Sequence, residues 1–186
     1  MADRSASVAL TAVVELSTRL DWVEKELDRL RQLEELRHLR ERYCRYVDAQ
    51  QWGDLRSILA VDYRHYATNT VGGEPTLVAD SADAFLERVI GLTAGATTVH
   101  ACFMPDIDLR DDTHATGRWS MTDVVSHPSD LRMRFAGRGH YDDEYVRGDD
   151  LVWRIAVARL TRQRLDPLPL READEGPGLP CPDSAP

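Results

Sequence analysis

After Gly95 the chain changes rhythm. Apolar and polar residues alternate along 97–109, 114–127, 131–146 and 151–163, with the turn signals RDD, HPSD and RGDD between the stretches. Period two is the repeat of a half-buried strand, and connections of a few residues join only antiparallel neighbours. The second half of the chain is therefore expected to form one antiparallel meander, and one face of that sheet needs a cover.

The cover comes earlier in the sequence. LEELRHLRERYCRYVDAQQW, residues 33–52, reads as a helix that breaks at Gly53. DLRSILA reads as a short helix, RHYATNTV as a strand and GGEP as a turn. Residues 80–92 read as a further helix with Asp80 or Ser81 as its N-cap. Helices followed by a run of strands imply an α+β fold, with helices on one face of a curved, mostly antiparallel sheet. A cone enclosing a pocket is the expectation.

Two segments flank this domain, which spans 33–165. Residues 1–32 form an N-terminal amphipathic helical extension in which Val13, Leu16, Leu20, Val23, Leu27 and Leu30 repeat at 3-4 spacing, amid charges such as Glu24, Glu26 and Arg29. The seam is shorter than three heptads and degrades at Glu34, so it packs on its own domain or a symmetry mate, or forms a dedicated coiled coil. Residues 166–186, DPLPLREADEGPGLPCPDSAP, have the composition of a disordered, dispensable Pro-rich tail.

A net charge of −9 argues against nucleic acid and anionic membranes, both of which select a basic face. Cys44, Cys102 and Cys181 lack metal-ligand spacing and read as two core residues and a tail thiol in a reducing, cytoplasmic setting. No apolar run approaches the roughly 20 residues needed to span a bilayer. There is no glycine-rich phosphate loop, GxSxG, HExxH or paired CxxC. No cofactor or metal is expected, so any chemistry falls to side chains.

Four of those side chains sit where a core residue would cost less. Asp123 shares strand parity with Trp119, Met121 and Val125, and a carboxylate on an apolar face costs several kcal/mol unless paired. Arg162 follows Ala156, Ala158 and Leu160 on one face of the last strand, either beside Asp123 in a cavity or in solvent at a fraying end. His100 opens a strand as a structural residue or a functional one. Asp48 ends a helix, where negative charge opposes the macrodipole, in solvent or against a tertiary partner. Trp153, Ile155 and Val157 read as an apolar outer face, from which a homodimer or homotrimer is expected.

The helix RYCRYVDAQQWGDLRSILA, the strands TVHACFMPDI and ATGRWSMTD, and the closing GRGHYDDEYVRGDDLVWRIAVARLTR resemble the SnoaL-like family of the NTF2-like superfamily. The resemblance covers roughly residues 20 to 164 and is strongest to its bile-acid 7α-dehydratase-type dehydratases. It implies catalytic roles for Tyr43, Asp48, His100, Asp123 and Arg162, with Tyr46, Tyr66, Phe103 and Trp119 around a pocket for a small hydrophobic substrate. Phe103 stands where the bile-acid enzymes carry a further histidine, Trp119 stands where the more distant scytalone dehydratase carries a catalytic one, and the surrounding pocket residues differ, so the steroid substrate does not transfer. The implied activity is a cofactor-independent lyase, a dehydratase. An isomerase or cyclase using the same proton shuttle, or a binder without turnover, remains open.

Overall fold

The computed structural model describes residues 2–68 and 71–169. Helix α1 (Ala2–Asp48) is followed by α2 (Trp52–Ser57), strands β1 (Leu59–Ala67) and β2 (Thr76–Ala79), and helix α3 (Ala82–Thr93). Four long strands then run β3 (Thr97–Leu109), β4 (His114–Ser126), β5 (Arg134–Arg147) and β6 (Trp153–Pro167). They form one sheet in the order β2-β1-β6-β5-β4-β3, antiparallel throughout except where β1 pairs with β6. The α+β cone expected from the sequence is the observed fold.

Local chemistry accounts for both ends of α3. Ser81 caps α3 by accepting the Ala84 N–H at 3.2 Å. Gly95, with φ of 75°, turns α3 into β3 in a conformation that residues with a Cβ rarely adopt. Ile58 follows α2, but Leu59 and Ala60, read above as helical, already belong to β1. The short edge strand β2 was not read from the sequence. Helix α1 crosses the expected boundary at 32/33 without a break.

One face of α1 (Leu36, Leu39, Tyr43 and Val47) enters a single core with Phe85 of α3, Tyr63 of β1 and the inner face of the sheet. Down that face, β4 and β5 oppose Asp123 with Gly137, Met121 with Gly139, Trp119 with Tyr141 and Gly117 with Asp143. Trp119, Tyr141 and Tyr145 fill one end of the cone. At the other end, Gly137 and Gly139 send no side chain inward, and Asp123 with Arg162 and the β6 backbone take up that space.

Two readings of β6 need correction. Trp153 and Ile155 are buried in the core instead of forming an outer face. Tyr145 pairs with Ile155 while Glu144 pairs with Val157, so Ala156 is an extra residue. This bulge reverses the side-chain parity and turns Ala158, Leu160 and Arg162 inward as well. The apolar outer face from which an oligomer was inferred therefore does not include Trp153 or Ile155. The strand also runs past the expected start of the tail: Phe135 pairs with Pro167, and Leu168 N–H donates to Arg134 O at 2.9 Å. The remainder of the expected tail, 170–186, and Cys181 with it, lies outside the described residues.

Candidate active site

The open end of the cone is a cavity of about 430 Å³ between α1, α3 and the sheet. Val47, Val78, Phe85, Leu92, Val125 and Leu160 contribute to its apolar wall, and Tyr43, Thr98, His100, Asp123 and Arg162 bring polar groups into it. A larger cleft, about 630 Å³, lies on the outer sheet face, where Arg118 pairs with Asp142 and Arg159 with Glu144.

Asp48 ends α1 directly over the start of β3. One carboxylate oxygen accepts the Thr98 hydroxyl at 2.8 Å and contacts His100 Nδ1 at 2.6 Å. The other accepts the His100 backbone N–H at 2.8 Å. These contacts supply what the helix terminus cannot, a positive environment for the acid. Burial opposes charge on both partners. The hydrogen bonds and mutual attraction outweigh it, so Asp48 is held below the usual carboxylate range and His100 above the usual imidazole value. With Nδ1 fixed on Asp48, Nε2 is the free ring nitrogen, 4.0 Å from Asp123 Oδ2.

Arg162 closes on Asp123 through two parallel contacts of 2.8 and 2.6 Å. Its guanidinium lies 5.3 Å from the Phe135 ring, and its backbone N–H donates to Thr68 Oγ1 at 2.9 Å. Burial disfavours the Arg162 cation, yet Asp123 holds its pKa above the ordinary value. Tyr43 lines the cavity from α1, and burial drives its phenol pKa up, so it is a donor and not a base.

The structure thus brings Tyr43, His100, Asp123 and Arg162 to one cavity, with Asp48 behind His100 and bonded to its ring. The four expected pocket residues lie elsewhere. Tyr46 packs against the core on another face of α1. Tyr66 points to the outer face of β1, where Arg159 lies 5.1 Å from its ring. Phe103 shares the outward parity of Val99 and is 45% exposed. Trp119 is inward but buried below the cavity, donating to Tyr145 Oη at 2.8 Å.

Arg88 and Arg40 were missed, and His65 was left open by the sequence. His65, inward beside Tyr66, lines the cavity. Its Nδ1 meets Tyr63 Oη at 2.8 Å, and burial reinforced by arginine charges lowers its pKa to about 3. Arg88 of α3 reaches the wall and has no ion-pair partner among the described residues. Arg40 is fully buried beneath Tyr43 and Tyr141, its guanidinium 3.9 Å from the Tyr141 ring, and pairs with Asp143, which also accepts from Tyr145 Oη at 2.8 Å. The inward parity of Asp143 with Tyr141 and Tyr145 was the available signal. Cys44 and Cys102 meet across the α1–β3 contact with their sulfurs 3.5 Å apart.

The model of the SnoaL-like domain matches residues 28–159. Among solved structures, a Novosphingobium aromaticivorans protein provisionally named a scytalone dehydratase is 19% identical over 77% of this chain and 91% of its own, with a TM-score of 0.64. The hexachlorocyclohexane dehydrochlorinase LinA-type3 of Novosphingobium barchaimii is 20% identical over 77% and 94%, with a TM-score of 0.63. ActVI-ORFA of Streptomyces coelicolor is 10% identical over 70% and 96%, with a TM-score of 0.55. At such identities the structural likeness speaks for the fold alone. No helix among the described residues is long and apolar enough to cross a membrane. On the match over 28–159, the chain belongs to the SnoaL-like family and has its NTF2-like cone fold.

Proposed function

We propose that this protein is a cofactor-independent lyase, a dehydratase acting on a hydroxylated, largely apolar small molecule of polyketide- or steroid-like size. The observation that carries the reading is His100, held by Asp48 through Nδ1, with Nε2 free at the cavity. A cavity of about 430 Å³ lies within the range that takes such ligands. The five polar positions are also those that the likeness to bile-acid 7α-dehydratase-type enzymes assigns to catalysis. Two structural neighbours carry the names of eliminating enzymes, a dehydratase and a dehydrochlorinase.

In this reading neutral His100 removes the proton from the carbon next to a carbonyl, and Asp48 stabilises the imidazolium that results. The C–H electron pair passes into the enolate, whose charge meets the free N–H groups of Arg162 and the phenol of Tyr43. As the enolate collapses to the conjugated alkene, the C–O bond breaks and the imidazolium returns its proton to the departing hydroxide. Water leaves, and His100 ends as it began. Each acid–base role contributes about 10²–10⁴ in rate. Arg88, without a counter-charge, would steer an anionic or strongly polar end of the substrate to the cavity.

The test is turnover of a panel of apolar β-hydroxy ketones and acids in deuterium-enriched water. Loss of one water with a new conjugated chromophore supports dehydration. Deuterium incorporation without loss of mass would make the same shuttle an isomerase or cyclase. Tight binding with neither change would contradict an enzyme.

A further inference from the structure

Helix α1 is 47 residues long, about 70 Å at roughly 1.5 Å per residue, and only its last third enters the core. Val13, Leu16, Leu20, Val23, Leu27 and Leu30 are all between 45% and 62% exposed. At about 100° per residue, this row centres on the order of 170° around the helix from Leu36, Leu39, Tyr43 and Val47, the row that meets the sheet. The face nearer the sheet is occupied too: Lys25, Asp28, Arg29 and Gln32 share a cleft with the β3–β4 and β5–β6 turns. The chain's own domain therefore cannot cover the seam without breaking α1.

The spacing identifies what can. Steps of 3, 4, 3, 4 and 3 fit a partner helix winding at the same repeat, with Val13, Leu20 and Leu27 at the a positions and Leu16, Val23 and Leu30 at d. The flanking e and g positions then hold Arg19, Glu24, Glu26 and Arg31. In a parallel pair of identical helices, g faces the e position five residues on. Arg19 meets the partner copy's Glu24, and Glu26 meets its Arg31. The two-fold axis doubles both attractions, and no like charges oppose. An antiparallel pair in the same layers sets Arg19 against Glu26 but leaves Glu24 and Arg31 facing Ser17 and Leu10. The intrahelical contacts that Glu26 and Arg31 make now, to Arg29 and Asp28, are exposed and 3.3 Å long, weak enough to be exchanged.

We infer that residues 13–30 form a parallel two-stranded coiled coil with a second copy of this chain, tying two cavities to one stalk. The seam ends at Glu34, the next a position, where α1 turns its apolar residues toward its own sheet, so the helix passes its burial from partner to domain within about two turns.

Sedimentation equilibrium of the full chain at about 10 μM tests this. The expected mass is twice 21.0 kDa. A single copy, or three, overturns the inference. Leu20→Glu with Leu27→Glu should halve the mass while the near-ultraviolet spectrum of the folded cone stays unchanged, because neither residue touches the core. A dimer that survives the double change is held elsewhere, and the inference fails. Glu24→Arg should raise the dissociation constant several-fold, and adding Arg19→Glu should restore it. Orientation is read from Val23→Cys in a Cys181→Ser background: a parallel pair oxidises to a covalent dimer, and absence of that dimer refutes the parallel register.

Discussion

Gly137 sits directly across the sheet from Asp123, and the Asp123–Arg162 ion pair occupies the space its side chain would fill. A Cβ there would stand 2.0 Å from Asp123 Oδ1 and 2.1 Å from Arg162 Nη1. The glycine is thus part of the site although it carries no functional group. Gly137→Ala should displace both charges and cost on the order of 1–3 kcal/mol of stability through overpacking. Turnover should fall further than the melting temperature alone explains, and a variant with unaltered kinetics would show that the pair is not needed where it stands.

The Arg40–Asp143 pair lies below the cavity with both side chains fully buried. Burial works against the Arg40 cation, but the Asp143 carboxylate beside it holds its pKa above the ordinary value. Removing one charge of such a pair leaves the other stranded. Asp143→Asn should destabilise the fold by about 3–5 kcal/mol. Chemical denaturation measures this directly. A loss under about 1 kcal/mol would mean that the network of Tyr145 and Trp119 can rearrange around a lone guanidinium.

His65 gives the fold a pH dependence separate from the chemistry. Its pKa falls from 6.5 to about 3 on folding, first because burial penalises the cation and then because Arg40, Arg88 and Arg162 repel it. Between those values the unfolded chain binds the proton and the folded chain does not, so stability declines as pH drops from about 6.5. His65→Phe should flatten that decline by several kcal/mol. Melting curves across this window decide, and an unchanged slope would assign acid sensitivity to other groups.

The opposite dependence applies to His100. Its raised pKa contributes stability that is complete below the unfolded value and is lost as pH climbs through the folded one. Asp48, held low, contributes above its unfolded value and loses that contribution as pH falls through its folded one. The two overlap between the unfolded pKa values, about 3.8 for Asp48 and about 6.5 for His100, so the dyad stabilises the fold most fully there.

Much of this was legible in the sequence. Period-two patterning after Gly95 gave the boundaries of β3 and β4 almost to the residue, because their alternation is unbroken by insertions at the ends. Asp48, His100, Asp123 and Arg162 stood out because each was costly where the local pattern put it, a cost that only a tertiary partner removes. What escaped was what parity and composition do not encode. The extra residue at Ala156 reversed the face of Trp153 and Ile155, and a bulge leaves no mark in the hydrophobic pattern. Phe103 and Tyr66 were placed in the pocket by analogy of position, whereas strand parity alone would have turned them outward with Val99 and Arg64. The glycines of AGRGHY, inward at alternate positions, were the sign that neighbouring strands needed that space, the Asp123 and Arg162 side chains at Gly137 and the β6 backbone at Gly139.

In the proposed mechanism His100 and Asp48 act as one proton-transfer unit, and kinetics of His100→Ala, Asp48→Asn and the double variant are the decisive test. Each single variant should lose about 10²-fold or more in kcat/KM, and the double should be little worse than His100→Ala, because a unit broken once has little left to lose. In Asp48→Asn the acid limb of the pH–rate profile should also move down, since the charge that raises the His100 pKa is gone. Asp48→Asn also disturbs the bonds from Thr98 and the His100 backbone, so its rate is compared with that of Thr98→Val, for which a loss of only a few-fold is expected. Near-normal turnover in His100→Ala, or losses in the two single variants that simply multiply in the double, would contradict the account.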